Sequence, residues 1–351
     1  MKGVKLVRYT IGACGFSGTG SSAVSDYLKE FENNVVLDSL EFSIPYLMDG
    51  LQDLRYHLHE GGMRDFQCRL AIKRYLELCN SIQLREFQKT TNNMFVQLSE
   101  EYIKDLIQFE FAGRDRDNTF LRNVTDTIYK KMRVYKLISY IEKKTNKEVC
   151  VYPLKQVAFS VYPENFDLRT KKYVDDILKA MGADDNKNIV LDQPFSGNNP
   201  KAAFDFFDNP KAIVVDRDPR DVYLLTKDFW RPGGFRAIPA ANAKDYCMFH
   251  RKLRENMPYL KDDPNILRIQ FEDLIYRYEE TTDLIRKFCN LGLNNNPKVF
   301  FDPEKSIANT QVFKRYPQYE EDIKIIEEEL ADYLYPFEKY GDVDTSGKMF
   351  E

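Results

Sequence analysis

The chain has 351 residues, 43% of them hydrophobic, with a formal net charge of −4, six cysteines and three histidines. That length can bury a large core, and the acidic balance argues against broad nucleic-acid binding, so any anion site must be a local pocket. No apolar run reaches the roughly 18 residues of a membrane span, no apolar core near the start is long enough for a signal peptide, and no CxxC pair occurs; the expectation is a cytoplasmic protein with reduced thiols and no transmembrane segment.

The first element is a short buried strand in "VRYTIGACG", which breaks into small residues. It runs into "GFSGTGSSAV", where Gly15, Gly18 and Gly20 permit positive φ and close backbone approach, and Ser21-Ser22 begin a helix with apolar residues at helical spacing. A glycine-rich turn ending at a helix N-terminus aims backbone N–H groups and the positive dipole end at one spot, which suits an anion. Gly15 and Gly20 have the Walker A interval, but Ser21 stands where that motif needs lysine for β- and γ-phosphates. The plainer alternative is a turn that packs a helix on a strand.

"NNVVLDSLEF" (33–42) reads as a second strand, and residues 44–147 turn to long charged amphipathic stretches, read as a mostly helical insertion. The α/β pattern returns in "KNIVLDQPFSG" and in "PKAIVVDRDPRDVYLLTKDF", where a strand at Ala212–Val215 delivers Arg217 to its carboxyl end and Asp218-Pro219 open a helix. Taken alone, Arg220 and Asp221 there read equally well as surface ion pairs. "PNILRIQFEDLI" is a further strand, followed by the helix "YEETTDLIRKFCNL" ending at Gly292, a loop over 301–317, an acidic helix, and a frayed tail at 345–351. These elements predict an α/β fold, a central mainly parallel sheet flanked by helices, as one domain over 1–344. His57, His59 and His250 form no metal constellation with the cysteines and read as ordinary core or surface residues.

Together these segments resemble the sulfotransferase family, whose members have a P-loop-like fold and transfer the sulfuryl group of 3′-phosphoadenosine 5′-phosphosulfate (PAPS). "GFSGTGSSAV" looks like the family's 5′-phosphosulfate loop, "VVDRDPRDVYLLTKDF" like its 3′-phosphate strand-turn-helix, "ILRIQFEDLIYRYEETTDLIRKFCNLGL" like the strand and helix that follow, and "EKSIANTQVFKRYPQYEEDIKIIEEELADYLYPF" like its carboxyl-terminal loop and helix. The resemblance covers the first 45 and last 165 residues, roughly, and implies that PAPS is the co-substrate and a hydroxylated acceptor, a glycan or small molecule, the partner. It also accounts for the missing lysine, because PAPS has no β- or γ-phosphate; a cradle of Gly15, Phe16, Ser17, Gly18, Thr19, Gly20, Ser21 and Ser22 would hold the phosphosulfate, and Arg217 the 3′-phosphate. The helical region 44–147 is expected to bind the acceptor.

Two positions depart from the family pattern. Phe16 occupies the place of a loop Lys or Arg, so a cation must come from elsewhere, with Lys314, Arg315 or an arginine of "WRPGGFR" as candidates; the family's 3′-phosphate serine falls at Leu225, with Thr226 as a substitute. For the general base, Glu41 resembles the glutamate of the glycosaminoglycan branch, and Asp192, two residues before a proline, falls where the cytosolic branch has histidine. Each also fits a structural role, capping a helix or forming a turn. Glu41 is favoured, and whichever carboxylate is more desolvated should have the raised pKa. The other readings are a P-loop nucleotide kinase or NTPase, weakened by Ser21, and an inactive relative that binds a nucleotide or glycan, kept open by Phe16 and Leu225. No metal is expected to be required, since a sulfuryl group has less charge than a phosphoryl group.

Overall fold

The computed structural model describes residues 8–62, 64–113, 136–147, 155–229, 238–255, 263–341, 344 and 346–350. They fall into two compact units, one of residues 1–47, 86–94 and 174–351, the other of 48–85 and 95–173.

The first unit is built on five strands, β1 (Thr10–Gly15), β2 (Asn34–Glu41), β5 (Asn188–Asp192), β6 (Pro210–Asp216) and β7 (Ile266–Gln270), in the order β2-β5-β1-β6-β7. Every neighbouring pair is parallel. Parallel strands need cover on both faces, and the period-two pattern supplies it on the first. Ile11 and Ala13 of β1, Val190 of β5, Ile213 and Val215 of β6 and Ile269 of β7 pack with Val24, Tyr27 and Leu28 of the helix Ser21–Lys29, and with Ile285 and Cys289 in and just after the helix Tyr278–Phe288. β1 begins at Thr10, three residues later than the start of the quoted apolar stretch, and its last residue is Gly15. The carboxyl ends of β1, β2, β5 and β6 therefore deliver Gly15, Glu41, Asp192 and Asp216 to one edge of the sheet, where open α/β folds place ligands.

The second unit has the helices Leu51–Arg55, Asp65–Cys79 and Phe95–Leu106, a π-helical turn over Tyr56–Glu60, and a helical stretch over 136–145. It is not wholly helical: β3 (Phe109–Gly113) and β4 (Lys155–Phe159) form an antiparallel pair, with β4 beyond the expected insertion. Phe109 opposite Phe159 and Phe111 opposite Val157 carry the strand signal, and a two-strand pair is easily lost among charged helical sequence. Its core holds a chain of tyrosines. The Tyr75 hydroxyl donates to that of Tyr173 at 2.8 Å, which lies 2.7 Å from Ser99 Oγ, and the Tyr102 and Tyr173 rings stack at 4.4 Å. Buried hydroxyls keep partners in this way without leaving the core. Among the described residues no helix is long and apolar enough to cross a membrane, and the five described cysteines are free thiols.

Candidate functional site

Two glycines with positive φ, Gly18 at 78° and Gly20 at 89°, turn the chain from β1 into the helix that starts at Ser21. Thr19 locks the turn: its hydroxyl accepts the Phe16 N–H at 3.0 Å and donates to the Phe16 carbonyl at 2.7 Å. The loop is thus preformed by its own side chain. At Gly20 a Cβ would meet the Phe271 ring at 2.6 Å, so this glycine is needed for packing as well as for backbone approach.

The loop forms one wall of a cavity of about 620 Å³, lined by Gly15 to Ser22, Glu41, Asp192, Gln193 and Arg217, with Phe195 to Asn198, Tyr46, Phe249, Leu253 and Phe350. The eight loop residues, both candidate carboxylates and Arg217 are therefore in one place. Arg217 is only 2% exposed. Its Nη1 donates to the Gly18 carbonyl at 3.4 Å and its other Nη to the Asn309 carbonyl; the guanidinium lies 4.8 Å from the centre of the Phe271 ring. Its Nε has no partner among the described residues.

A register shift in β2 between Leu37 and Glu41 sets Glu41 opposite Asp192, and the Phe42 N–H donates to the Asp192 carbonyl at 2.7 Å. Bulges commonly re-aim side chains next to sites. Glu41 is exposed; Asp192 is half-buried, and its Oδ1 has no hydrogen-bond partner among the described residues. Burial first, then the negative charge of Glu41, raises the Asp192 carboxyl to about 7.

Other expected residues are placed elsewhere. Thr226 is buried and its hydroxyl donates to the Val222 carbonyl at 2.8 Å, and Leu225 is buried too; neither lines the cavity, because the π-helical turn Leu225–Phe229 directs both into the core. Lys314 is exposed and away from the cavity. Arg315 is also outside it, donating to the carbonyls of Ala308 at 2.8 Å and Gly347 at 3.1 Å. The arginines of "WRPGGFR" lie outside the described residues. Arg220 is not a surface residue: it is buried, forks onto Asp218 at 2.9 and 2.8 Å and lies 4.1 Å from the centre of the Phe313 ring. Asp218 caps the helix by accepting the Arg220 N–H, with Pro219 in its first turn. The tail is tied down rather than frayed over 346–350, where the Phe350 N–H donates to Asn309 Oδ1 at 2.9 Å and its ring meets Phe229 at 4.8 Å.

Three side chains were missed in the sequence. Gln193 accepts the Gly15 N–H through Oε1 at 3.2 Å and donates to Ser21 Oγ at 2.8 Å, while its carbonyl accepts the Tyr46 hydroxyl at 2.9 Å. Arg254, from the helix Ala243–Glu255, places its guanidinium 4.3 Å from the centre of the Phe16 ring and forks onto Asp216 at 2.7 and 2.5 Å. A cation thus stands behind Phe16, already neutralised by a carboxylate. The only available signal was the polar pair "DQ" closing an apolar strand before proline; nothing local marked Arg254 or Tyr46.

The fold and cavity define an α/β protein with a lysine-free, glycine-rich loop that shares a cavity with an arginine and a carboxylate pair. Comparison with family models and with curated proteins finds no match. Among solved structures, the chain is similar to a sulfotransferase domain from the curacin biosynthetic pathway, at 13% identity over 94% of this chain and 99% of that one, with a TM-score of 0.42. It is also similar to sulfotransferase STF9 from Mycobacterium avium (12% identity, 97% and 79% covered, TM-score 0.39) and to a retinol dehydratase in complex with androsterone and inactive cofactor PAP (16% identity, 95% and 84% covered, TM-score 0.36). At such identities these are likenesses of fold.

Proposed function

We propose that this chain is a sulfotransferase, which moves a sulfuryl group from PAPS to the hydroxyl of a glycan or other hydroxylated small molecule. The observation that carries the reading is the cavity itself: a glycine loop at the end of β1, Arg217 and the half-buried Asp192 all line one space. Loop N–H groups and the hydroxyls of Ser17, Ser21 and Ser22 suit one phosphate joined to sulfate, and the guanidinium of Arg217, which lines the same cavity, suits the 3′-phosphate.

In the proposed reaction the acceptor oxygen attacks sulfur in line with the departing nucleotide. The new S–O bond forms as the bond between sulfur and the phosphate oxygen breaks, and that oxygen keeps the electron pair in 3′-phosphoadenosine 5′-phosphate (PAP). The acceptor proton passes to Asp192. A carboxyl raised to about 7 holds a proton much better than an ordinary aspartate while still ionising near neutrality, which is where a general base works best. Glu41, the carboxylate favoured by sequence, is exposed, and its role in this reading is to hold the Asp192 pKa up by its charge. No metal is required in this reading, because N–H groups and Arg217 face the charge that develops on the leaving phosphate.

A thermal-shift comparison tests the donor. PAP should raise the melting temperature clearly more than AMP or ATP with magnesium, since a ligand that binds only the native state stabilises by mass action. A larger shift with ATP would favour the nucleotide kinase or NTPase reading, and binding of PAP without turnover on a panel of hydroxylated acceptors would favour an inactive relative.

A further inference from the structure

We infer that Gln193 aims the Ser21 hydroxyl at the donor's anion, an inference that rests on the donor reading above. The orientation of the Gln193 amide follows from its partners. The Gly15 N–H can only donate, so the amide oxygen must face it, at 3.2 Å, and the NH2 group then faces Ser21 Oγ, at 2.8 Å. An amide N–H donates only, so Ser21 Oγ accepts there and its own hydrogen must point elsewhere. Among the described residues that hydroxyl donates to no protein acceptor, and Ser21 lines the cavity as the first residue of the loop's helix. Gln193 thus donates to one lone pair of Ser21 Oγ and leaves its O–H for an anion in the cradle.

The residue is held firmly enough to do this. Its φ is +49°, a left-handed conformation that a glutamine keeps only when the surroundings over-determine it. Here the Gln193 N–H donates to the Ala13 carbonyl at 2.9 Å, and its carbonyl accepts the Tyr46 hydroxyl. The same brace spans both ends of the loop, from Gly15 to Ser21, and directly follows Asp192. It is a positioning residue for the donor, acting through Ser21.

Gln193→Glu reverses the arrangement with almost no change in shape. One oxygen of the introduced carboxylate keeps the Gly15 N–H, while the other accepts the Ser21 O–H and draws its hydrogen away from the anion. PAP affinity measured by titration calorimetry at pH 8 should fall at least about tenfold, as for loss of a hydrogen bond to a charged group. Gln193→Met, which loses both bonds but adds no charge, should cost less. The distinguishing readout is the pH profile: the deficit of Gln193→Glu relative to wild type should close towards pH 5, where a protonated carboxyl again offers C=O to Gly15 and O–H to Ser21. In a Ser21→Ala background the Gln193→Glu penalty should shrink. Wild-type-like affinity at pH 8, or a deficit that stays flat with pH, would overturn the inference while leaving the donor reading intact. A wild-type protein that does not bind PAP at all removes both.

Discussion

Replacing Asp192 with asparagine should make the protein more stable at alkaline pH while impairing its chemistry. The native carboxyl titrates at about 7 against an ordinary 3.8, so between those values the folded chain holds a proton that the unfolded chain has released. Stability therefore declines as pH rises from 3.8 to about 7 and levels off above it; the protonated form's advantage is complete below 3.8. Three units at about 1.4 kcal/mol each set a ceiling near 4 kcal/mol, and solvent screening of a half-buried group reduces the expected effect to about 1–3 kcal/mol. Asp192→Asn removes this term, so the two proteins should have equal unfolding free energies near pH 4 and differ by that amount at pH 8. Urea denaturation of both at four pH values measures it. His250, which burial pushes down to about 3, adds an acid-side loss common to both proteins, and it cancels in the difference. Glu41→Gln should flatten the wild-type slope in part, because the Glu41 charge is the second cause of the Asp192 shift. Parallel pH–stability curves for wild type and Asp192→Asn would refute the reasoning.

The remaining predictions concern binding and turnover. Arg217→Ala should weaken PAP by roughly 1.5–3 kcal/mol and leave AMP almost unaffected, as read by calorimetry well below the melting temperature; equal losses for both nucleotides would remove Arg217 from the 3′-phosphate. The same change should lower the melting temperature, since Arg217 also holds the carbonyls of Gly18 and Asn309. With PAPS and a competent acceptor, Asp192→Asn should cost about 10²–10⁴-fold in kcat, whereas Glu41→Gln should cost less and move the acid limb of the activity profile, set by ionisation of Asp192, to lower pH. The opposite order would return the base to Glu41.

What the sequence determined by itself is what short-range physics encodes. The glycine-rich turn, the strand ends that hold Glu41 and Asp192, the Asp218-Pro219 cap and the helix after β7 all follow from steric permission, capping and periodicity within a few residues. Arg217 was legible for the same reason: it follows an apolar strand directly, and parallel strands bring such ends to one edge. The tertiary structure decided everything that depends on register and on side chains from distant segments. A bulge in β2 placed Glu41 opposite Asp192, and burial raised the Asp192 pKa. The π-helical turn after Leu224 turned Thr226 into the core, and a guanidinium from a helix without any local mark came to rest on Phe16. Gln193 belongs with these: its sequence context marks a turn, but its function as a brace exists only once β1 and β5 lie side by side and put Gly15, Ser21 and Ala13 within its reach.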